Sequence, residues 1–450
     1  MEKQKNNKAW VVAVDMGYGH QRAAYPLKHL AWGGEIINAN TYEGIPEEDV
    51  KIWRQSQRFY NFISRFKNFP ILGKYAFDLF DRFQAIPKFY PKRDLSKSNL
   101  QLLSSILLIK KGWGKHFVEK LKKKNIPLIS TFFVPAYMAE IHGFSPDIYL
   151  LVCDADISRA WAPYEPKMSK IKYLAPNNRV AERLKLYGVP EDKIFLSGFP
   201  LPLKNLGDKK LSILKEDFCA RLANLDPEHK HIGKYKESLA RELNQEELFC
   251  RAGKRKLSLT FAVGGAGAQR ELGITIVKSL AEKIISKKIH LNLIAGINND
   301  VNRFFERNIK NLGLSGEIGR EIEIIFAADK EEYFKKFSNT LRKTDILWTK
   351  PSELSFYAGL GMPIIVAPPI GSQEKFNKKW LLATGAGIEQ ENPKYASEWI
   401  FDWLEEGIFM ESAISGYFET EKYGTFNIEK IIFGEPEKRK TGERICNIKK

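Results

Sequence analysis

Short apolar runs alternate with amphipathic stretches along most of this chain. Runs of strand type, with few polar positions, occur at residues 10–14, 126–133, 148–152, 257–263, 290–295, 322–326, 346–348 and 364–367. Apolar positions with helical spacing lie between most of them, as at 271–286 and 377–384. Buried strands that alternate with helices predict parallel sheets covered by helices on both faces.

The same pattern divides the chain into segments. A strand, a glycine-rich turn and a helix follow one another twice, near residue 15 and near residue 264, which predicts two doubly wound domains at 1–203 and 257–394. Between them, 204–256 is rich in charge and helix formers, so we predict a helical insertion or linker. The segment 395–450 begins with helical spacing that we expect to return toward the first domain, and it ends in a basic tail.

Composition excludes several classes of protein. With 44% hydrophobic and 28% charged residues over 450 positions, the chain is globular and too long for one core. The sequence contains no run of 18 or more apolar residues, so it predicts no membrane-spanning helix. The four cysteines, Cys153, Cys219, Cys250 and Cys446, are far apart, which argues against a disulfide framework or a zinc site and favours a cytoplasmic protein.

The net charge of +17 is concentrated in one region. Residues 51–124 contain 18 Lys and Arg against 4 Asp and Glu, interleaved with aromatic residues at helical spacing. Such an arm either packs on its own domain or lies on an anionic membrane surface, and we favour the membrane. We therefore expect peripheral association with the inner face of the plasma membrane. No nucleic-acid-binding motif is present, so nucleic acid is not an expected partner.

The first glycine-rich turn contains the sequence GYGH. Gly17 and Gly19 allow the backbone to approach a ligand closely where a strand passes into a helix. His20 adds a group whose ordinary pKa is near neutrality, which suits the removal of a proton from a hydroxyl. A tight connection with a histidine near the helix start is the alternative.

The second glycine-rich turn, GGAGAQ, follows the predicted strand 257–263. Gly264, Gly265, Ala266 and Gly267 leave no bulky side chain between backbone amides and a bound diphosphate. The spacing differs from GxGxxG and no suitably placed acidic residue follows, which disfavours NAD. A turn of small residues selected for packing is the alternative.

Two polar clusters follow later strands. In TKPSE, Lys350 is suited to pair with phosphate, while Ser352 and Glu353 stand at the next helix start, where Glu353 is suited to accept both hydroxyls of a ribose. In the second cluster, amide and carboxylate groups form the hydrogen-bonding set that a hexose needs, namely Gln373, Glu374 and Asn377. Phe326, at the end of the run 322–326, is a further donor-side candidate.

The order of these motifs resembles glycosyltransferase family 28. GxGH near the N-terminus, GGAGAQ at mid-chain, TKPSE, GMP and GSQEKFN are similar to motifs of the plant galactolipid synthases, the bacterial processive diacylglycerol glucosyltransferases and the lipid II GlcNAc transferase. The resemblance covers roughly residues 8–20, 126–202 and 257–390. It implies an α/β protein of the GT-B fold, with two Rossmann-like domains facing a central cleft.

The resemblance also implies an activity. It suggests an inverting transferase that moves a hexose or N-acetylhexosamine from a UDP-sugar to a hydroxyl, with a lipid or lipid-linked acceptor. His20 corresponds to the proposed base, and Gln373 and Glu374 correspond to the pair that reads the hexose; no cofactor or metal is expected. One departure is the usual ribose-binding glutamate, whose position is Phe356 here, so that Glu353 is the candidate.

Three alternatives stay open. Asp154 and Asp156 form a DxD that would hold a metal in GT-A transferases, whereas in the GT-B interpretation Asp156 and Trp161 belong to the acceptor side. A UDP-sugar epimerase on the same scaffold is a second alternative, and a non-catalytic basic protein that binds membrane or nucleic acid is a third. The sequence leaves the sugar and the acceptor undetermined.

Overall fold

The computed structural model describes residues 7–66, 86–243, 255–262, 264, 267 and 269–434, with 57–66 and Ser372 described by their backbone only. Several predictions lie outside the described residues. These are Gly265 and Ala266 of the second loop, part of the basic arm, part of the insertion, the basic tail, Cys250 and Cys446.

The first domain contains a six-stranded parallel sheet. Its strands are β1 Trp10–Ala13, β2 Ile37–Asn38, β3 Leu128–Ser130, β4 Ile148–Leu151, β5 Ile171–Ala175 and β6 Ile194–Leu196. They lie in the order β2-β1-β3-β4-β5-β6. The helices around it are α1 Gly19–Ala24, α2 Glu47–Phe66, α3 Leu100–Lys110, α4 Lys115–Lys122, α5 Phe133–Ile141 and α6 Asn178–Leu186.

The second domain repeats this architecture. Its strands are β7 Leu257–Ala262, β8 Ile289–Gly296, β9 Ile322–Phe326, β10 Ile346–Thr349, β11 Ile364–Val366 and β12 Gly387–Glu389, in the order β12-β11-β10-β7-β8-β9. All pairs are parallel. The connecting helices are α10 Arg270–Ile285, α11 Asn299–Asn311, α12 Lys330–Lys343 and α13 Ser372–Ala383, with a 3-10 helix at Glu353–Leu360.

Helices cover both faces of each sheet, which explains why the strands are apolar throughout. In β1, Val11 faces a core that continues into the second domain, whereas Val12 faces a separate core of the first domain. Successive side chains of a strand point to opposite faces, so both must be apolar. The predicted fold class, a GT-B arrangement of two doubly wound domains, is confirmed by these two sheets.

One predicted strand is shorter than its apolar run. Residues 126–133 were expected to be extended, but β3 ends at Ser130 and α5 begins at Phe133. Pro135 is compatible with this change, because proline is tolerated in the first helical turn, where its missing N–H costs no hydrogen bond, whereas it would remove a hydrogen bond from a central strand. The sequence pattern also missed β2, β5, β6 and β12, of which three have only two or three residues.

The chain between the domains is helical where it is described. It forms α7 Leu203–Leu206, α8 Ser212–Leu225 and α9 Lys236–Glu242. Buried Arg221 of α8 donates to the carbonyl oxygens of Thr344 at 2.8 Å and Leu360 at 2.7 Å. These charge-assisted hydrogen bonds satisfy backbone groups at turns of the second domain, so α8 is fixed to that domain.

The last helices bring the chain back to the first domain. They are α14 Ala396–Glu405, α15 Ile408–Glu419 and α16 Gly424–Phe433. Thr425 of α16 donates to the Leu201 carbonyl at 2.6 Å, and Asn427 donates to the Ser197 carbonyl at 3.1 Å. Within the residues that the structure describes, no helix combines the length and apolarity needed to cross a membrane.

Gly424 lies where α16 meets the first domain, and a Cβ there would overlap the Phe199 carbonyl. We therefore expect Gly424→Ala to lower the free energy of unfolding by about 1–3 kcal/mol, since an overpacked contact with backbone relaxes poorly. Thermal and denaturant unfolding measure the effect. Gly316→Ala is the matched control because its Cβ would meet open space; equal stability of the two variants would contradict the prediction.

Candidate active site between the two domains

Each sheet has a point where the chain changes direction. In the first sheet this point lies between β1 and β3, and in the second it lies between β7 and β10. In open parallel sheets, ligands bind beyond the carboxyl ends of the strands at such switch points. The GYGH turn follows β1, while the second glycine-rich loop follows β7 and the TKPSE segment follows β10. The predicted motifs therefore occupy both switch points.

His20 lies in the first turn of α1, beside the end of β3. Its Nδ1 is 2.7 Å from the carbonyl oxygen of Thr131. A carbonyl oxygen only accepts, so Nδ1 carries the proton and the neutral ring keeps its lone pair on Nε2. This hydrogen bond fixes both the tautomer and the orientation that a general base requires.

The ionisation of His20 is strongly perturbed. Burial lowers its pKa to about 4, although the Thr131 hydrogen bond and the charge of Glu353 act in the opposite direction. A lowered pKa keeps the imidazole neutral at physiological pH, so that Nε2 is available as a proton acceptor.

Aromatic side chains surround the histidine. The ring centroid of Phe132 lies 4.8 Å from that of His20, and the centroid of Trp161 lies 6.3 Å away. Trp161 also packs edge-on against Phe133 at 5.5 Å. Trp161, an acceptor-side candidate, is thus brought next to the candidate base, in an apolar environment that explains the lowered pKa of His20.

The loop after β7 is held close to Lys350. A Cβ at Gly264 would lie 2.7 Å from Lys350 Cε, so the end of the lysine side chain lies directly against the backbone of this loop. Gly267 has a positive φ of 71° and donates to the Gly264 carbonyl at 2.8 Å, which closes a tight turn. The Lys350 ammonium pairs with the Glu374 carboxylate. A cation beside a turn of small residues is suited to a diphosphate.

The Gln373–Glu374 pair lies in a helix that begins earlier than predicted. The pattern indicated a helix at 377–384, but α13 begins at Ser372. Glu374 accounts for the early start because it accepts from the backbone N–H of Ile370 at 2.6 Å and of Gly371 at 3.3 Å. This carboxylate caps the helix and pairs with Lys350, while Gln373 is half-buried beside it.

Asn377 is fully buried and bridges the two domains. Its Oδ1 accepts from the Ala155 backbone N–H at 2.7 Å, and its Nδ2 donates to Asp154 Oδ1 at 3.0 Å. Burial raises the pKa of Asp154 to about 6; the Asn377 hydrogen bond opposes this shift, and the charges of Glu353 and Glu374 add to it. Asn377 thus binds the first domain here, and its contact with a hexose stays a prediction.

The two aspartates of the DxD sequence have different surroundings. Asp154 contacts Asn377 at the domain boundary, whereas Asp156 forms a buried bidentate pair with Arg183, with both N–O distances at 2.8 Å. Asp156 Oδ1 also accepts from the Ile157 N–H at 2.9 Å. Asp156 thus supports its loop through Arg183 and the backbone, and its acceptor-side role stays a prediction.

Glu353 is the first residue of a 3-10 helix rather than of an α-helix. It pairs with Arg22 of the first domain, and a Cβ at Gly19 would lie 3.1 Å from Glu353 Oε2. Burial is the largest single effect and raises the pKa of its carboxyl, but the charges of Arg22 and Lys350 and the hydrogen bonds that the carboxylate accepts together outweigh burial and hold the pKa below its ordinary value. Ser352 also hydrogen-bonds to Glu353. Phe356 is buried and stacks on Phe199 at 4.8 Å.

The remaining glycine of the first turn, Gly17, precedes a tyrosine that contacts the second domain. Gly17 is exposed with a positive φ of 112°, which lets Tyr18 extend into that domain. The Tyr18 hydroxyl accepts from the Ile297 N–H at 2.9 Å, and its ring lies 4.8 Å from that of Tyr333. Phe326 is half-buried at the end of β9, on the same edge of the second sheet.

Sequence reasoning did not single out four residues that lie at or beside the domain boundary, namely Tyr18, Arg22, Thr131 and Asp154. Only Asp154 had a signal, since it belongs to the DxD sequence. Tyr18 and Arg22 adjoin His20 in the chain but obtain their partners from the second domain. Thr131 contributes its backbone carbonyl, and because every residue has one, the sequence could not indicate this role.

The chain is similar in structure to several solved proteins. MurG of Acinetobacter baumannii aligns over 94% of this chain and 99% of its own, with 11% identity and a TM-score of 0.45. UDP-GlcNAc 2-epimerase of Neisseria meningitidis, bound to UDP-GlcNAc, aligns over 80% and 88%, with 12% identity and a TM-score of 0.44. Staphylococcus aureus MnaA with UDP aligns over 78% and 86%, with 14% identity and a TM-score of 0.42.

Comparison at the sequence level gives no match, either to a protein-family model or to a curated protein. The fold assignment rests on the strand order of the two sheets, not on these similarities. The resemblance to glycosyltransferase family 28 rests on the motifs alone.

We expect a direct titration of His20 to give a pKa of about 4, well below the ordinary value near 6.5. Because the pKa is lowered, the ring is neutral above this value and becomes charged only as the pH falls through it. Histidine-selective ¹⁵N labelling with NMR would assign the resonance by its loss in His20→Ala and would report a proton on Nδ1. A cationic ring at pH 6, or a proton on Nε2, would contradict the assignment.

Proposed function

We propose that the chain is a UDP-sugar-dependent glycosyltransferase that transfers a hexose or N-acetylhexosamine to an acceptor hydroxyl. One observation carries the proposal. A neutral histidine at the switch point of one sheet lies near Glu353 of the other domain. Glu353 follows Lys350 in the same segment, and the Lys350 side chain lies against the glycine loop at the other switch point. A base and an anion-binding loop in one cleft are what transfer from a nucleotide diphosphate requires.

In the proposed reaction, His20 Nε2 takes the proton of the acceptor hydroxyl. The acceptor oxygen forms a bond to the anomeric carbon while the bond from that carbon to the diphosphate oxygen breaks, and UDP leaves with the electron pair. Attack opposite to the leaving group inverts the anomeric configuration. Lys350 and the backbone of the 264–267 loop stabilise the charge on the departing diphosphate, and Gln373 and Glu374 bind the hexose.

His20→Ala should lower kcat by about 10²–10⁴-fold, the usual contribution of a general base, with little change in the Kd of UDP. The reason is that His20 contacts Thr131 of its own domain rather than the glycine loop of the second domain. Steady-state kinetics and calorimetric titration with UDP measure the two quantities.

His290→Ala is the matched control for this variant. His290 lies in β8 of the second domain and hydrogen-bonds to Asn292, so its removal should leave kcat within about threefold of the unaltered protein. Unchanged turnover in His20→Ala would remove the histidine from the mechanism.

Product analysis separates transfer from epimerisation. A UDP-sugar epimerase would convert its substrate without any acceptor, so NMR of the reaction mixture would show a new UDP-sugar. The proposed transferase releases UDP and forms a glycoside only when an acceptor hydroxyl is present.

We further propose that the acceptor is a membrane lipid, reached through an apolar face of α3. Leu100, Leu107 and Leu108 lie on one side of this helix and are 63%, 60% and 37% exposed, whereas Leu102 and Ile109 on the other side are fully buried. Exposed lysines continue from this face, at Lys110, Lys111 and Lys115. Exposed leucines bordered by cations suit the interface of an anionic bilayer.

Replacing Leu100 and Leu107 together by serine should weaken binding to phosphatidylglycerol vesicles by about tenfold or more, because two apolar side chains would no longer be buried in the interface. Vesicle co-sedimentation at several salt concentrations measures the affinity. Ile285→Ser is the control, since Ile285 is 58% exposed on the second domain. Equal binding by both variants would contradict the proposed surface.

A further inference from the structure

Arg22 is a buried cation whose Nη1 and Nη2 both have hydrogen-bond partners in the second domain, whereas its buried Nε has none among the described residues. Its side chain is 5% exposed and lies over the ring of Phe337 at 5.0 Å from the centroid. Its Nη2 donates to the Tyr333 hydroxyl at 2.6 Å, and its Nη1 donates to Glu353. A charge this deeply buried is costly unless it is paired, so the Glu353 carboxylate and the guanidinium depend on each other.

The pair joins residues of different domains and of different predicted roles. Arg22 follows His20 by two positions on α1, while Glu353 begins the 3-10 helix after β10. In a 3-10 helix, side chains three positions apart lie on the same side, so Glu353 stands on the same face as Phe356. Phe356 is apolar and stacks on Phe199, and Glu353 is the acidic residue of this helix.

We infer that Arg22 is a positioning residue that holds the Glu353 carboxylate ionised and oriented to accept the ribose hydroxyls of the nucleotide donor. The inference rests on the proposed function, because it concerns the donor of that reaction. Arg22 occupies one carboxylate oxygen, and a carboxylate has several further acceptor positions for hydroxyl groups. The first domain would thereby contribute to donor recognition without contacting the nucleotide.

An unpaired glutamate at this position would behave differently. Without Arg22, the buried Glu353 carboxyl would be driven toward its protonated form, which is a poorer acceptor for two hydroxyls. The loss would affect the ribose hydroxyls specifically, not the diphosphate, which is assigned to Lys350 and the 264–267 loop. This difference separates a positioning role from a merely structural one.

The experiment compares the Kd of UDP with that of 2′,3′-dideoxy-UDP by calorimetry. The unaltered protein should bind UDP about tenfold or more tightly, the difference that hydrogen bonds to an ionised group produce. In Arg22→Met this preference should disappear, while the Kd of the dideoxy compound changes by less than about threefold. Arg22→Lys, which keeps the charge near Glu353, should retain part of the preference and guards against failure of Arg22→Met to fold.

Two further variants define the outcome. Glu353→Gln should abolish the preference, and adding Arg22→Met to it should change nothing more, because the two residues act as a unit.

Lys28→Met is the matched control, since it removes another ion pair between the domains, Lys28–Glu331 at 2.5 Å, and should keep the preference. Retention of the preference in Arg22→Met and Arg22→Lys, or its loss in Lys28→Met, would overturn the inference with UDP binding intact. Absence of UDP binding by the unaltered protein would instead overturn the proposed function, and the inference with it.

Discussion

Contacts between the carboxyl edges of the two sheets determine how this molecule is arranged. Tyr18 reaches Ile297, Arg22 pairs with Glu353, and Asn377 bridges to Asp154 and Ala155. In a parallel sheet every strand delivers its following loop to the same edge, so two such domains can bring all these loops together only by facing each other. The candidate site is a consequence of that orientation.

Burial at this boundary sets the ionisation of the groups that lie there. It lowers the pKa of His20 to about 4 and raises that of Asp154 to about 6, whereas at Glu353 the charges of Arg22 and Lys350, with hydrogen bonds to the carboxylate, together outweigh burial and keep the pKa below its ordinary value. A neutral base and an ionised carboxylate can therefore coexist at one domain boundary at neutral pH. The protonation state of each group is therefore set by its surroundings rather than by its residue type.

Candidate donor-side residues also hold the domains together. Glu353 and Asn377 form hydrogen bonds with residues of the first domain, and Glu374 caps α13 while pairing with Lys350. A nucleotide sugar that uses the same groups must share or replace these partners. If the proposed donor binds through these groups, its binding and the relative position of the two domains are linked by mass action.

The sequence by itself determined the alternation of strands and helices, the two glycine-rich turns and the residue types at both switch points, because periodicity and turn chemistry are local properties. It did not indicate that Arg22 would pair with Glu353, that Asp156 would be taken by Arg183, or that Thr131 would fix the tautomer of His20. The residues of each pair are 331, 27 and 111 positions apart, respectively. Only the folded chain decides which buried charge meets which partner, since the cost of an unpaired charge depends on every group packed around it.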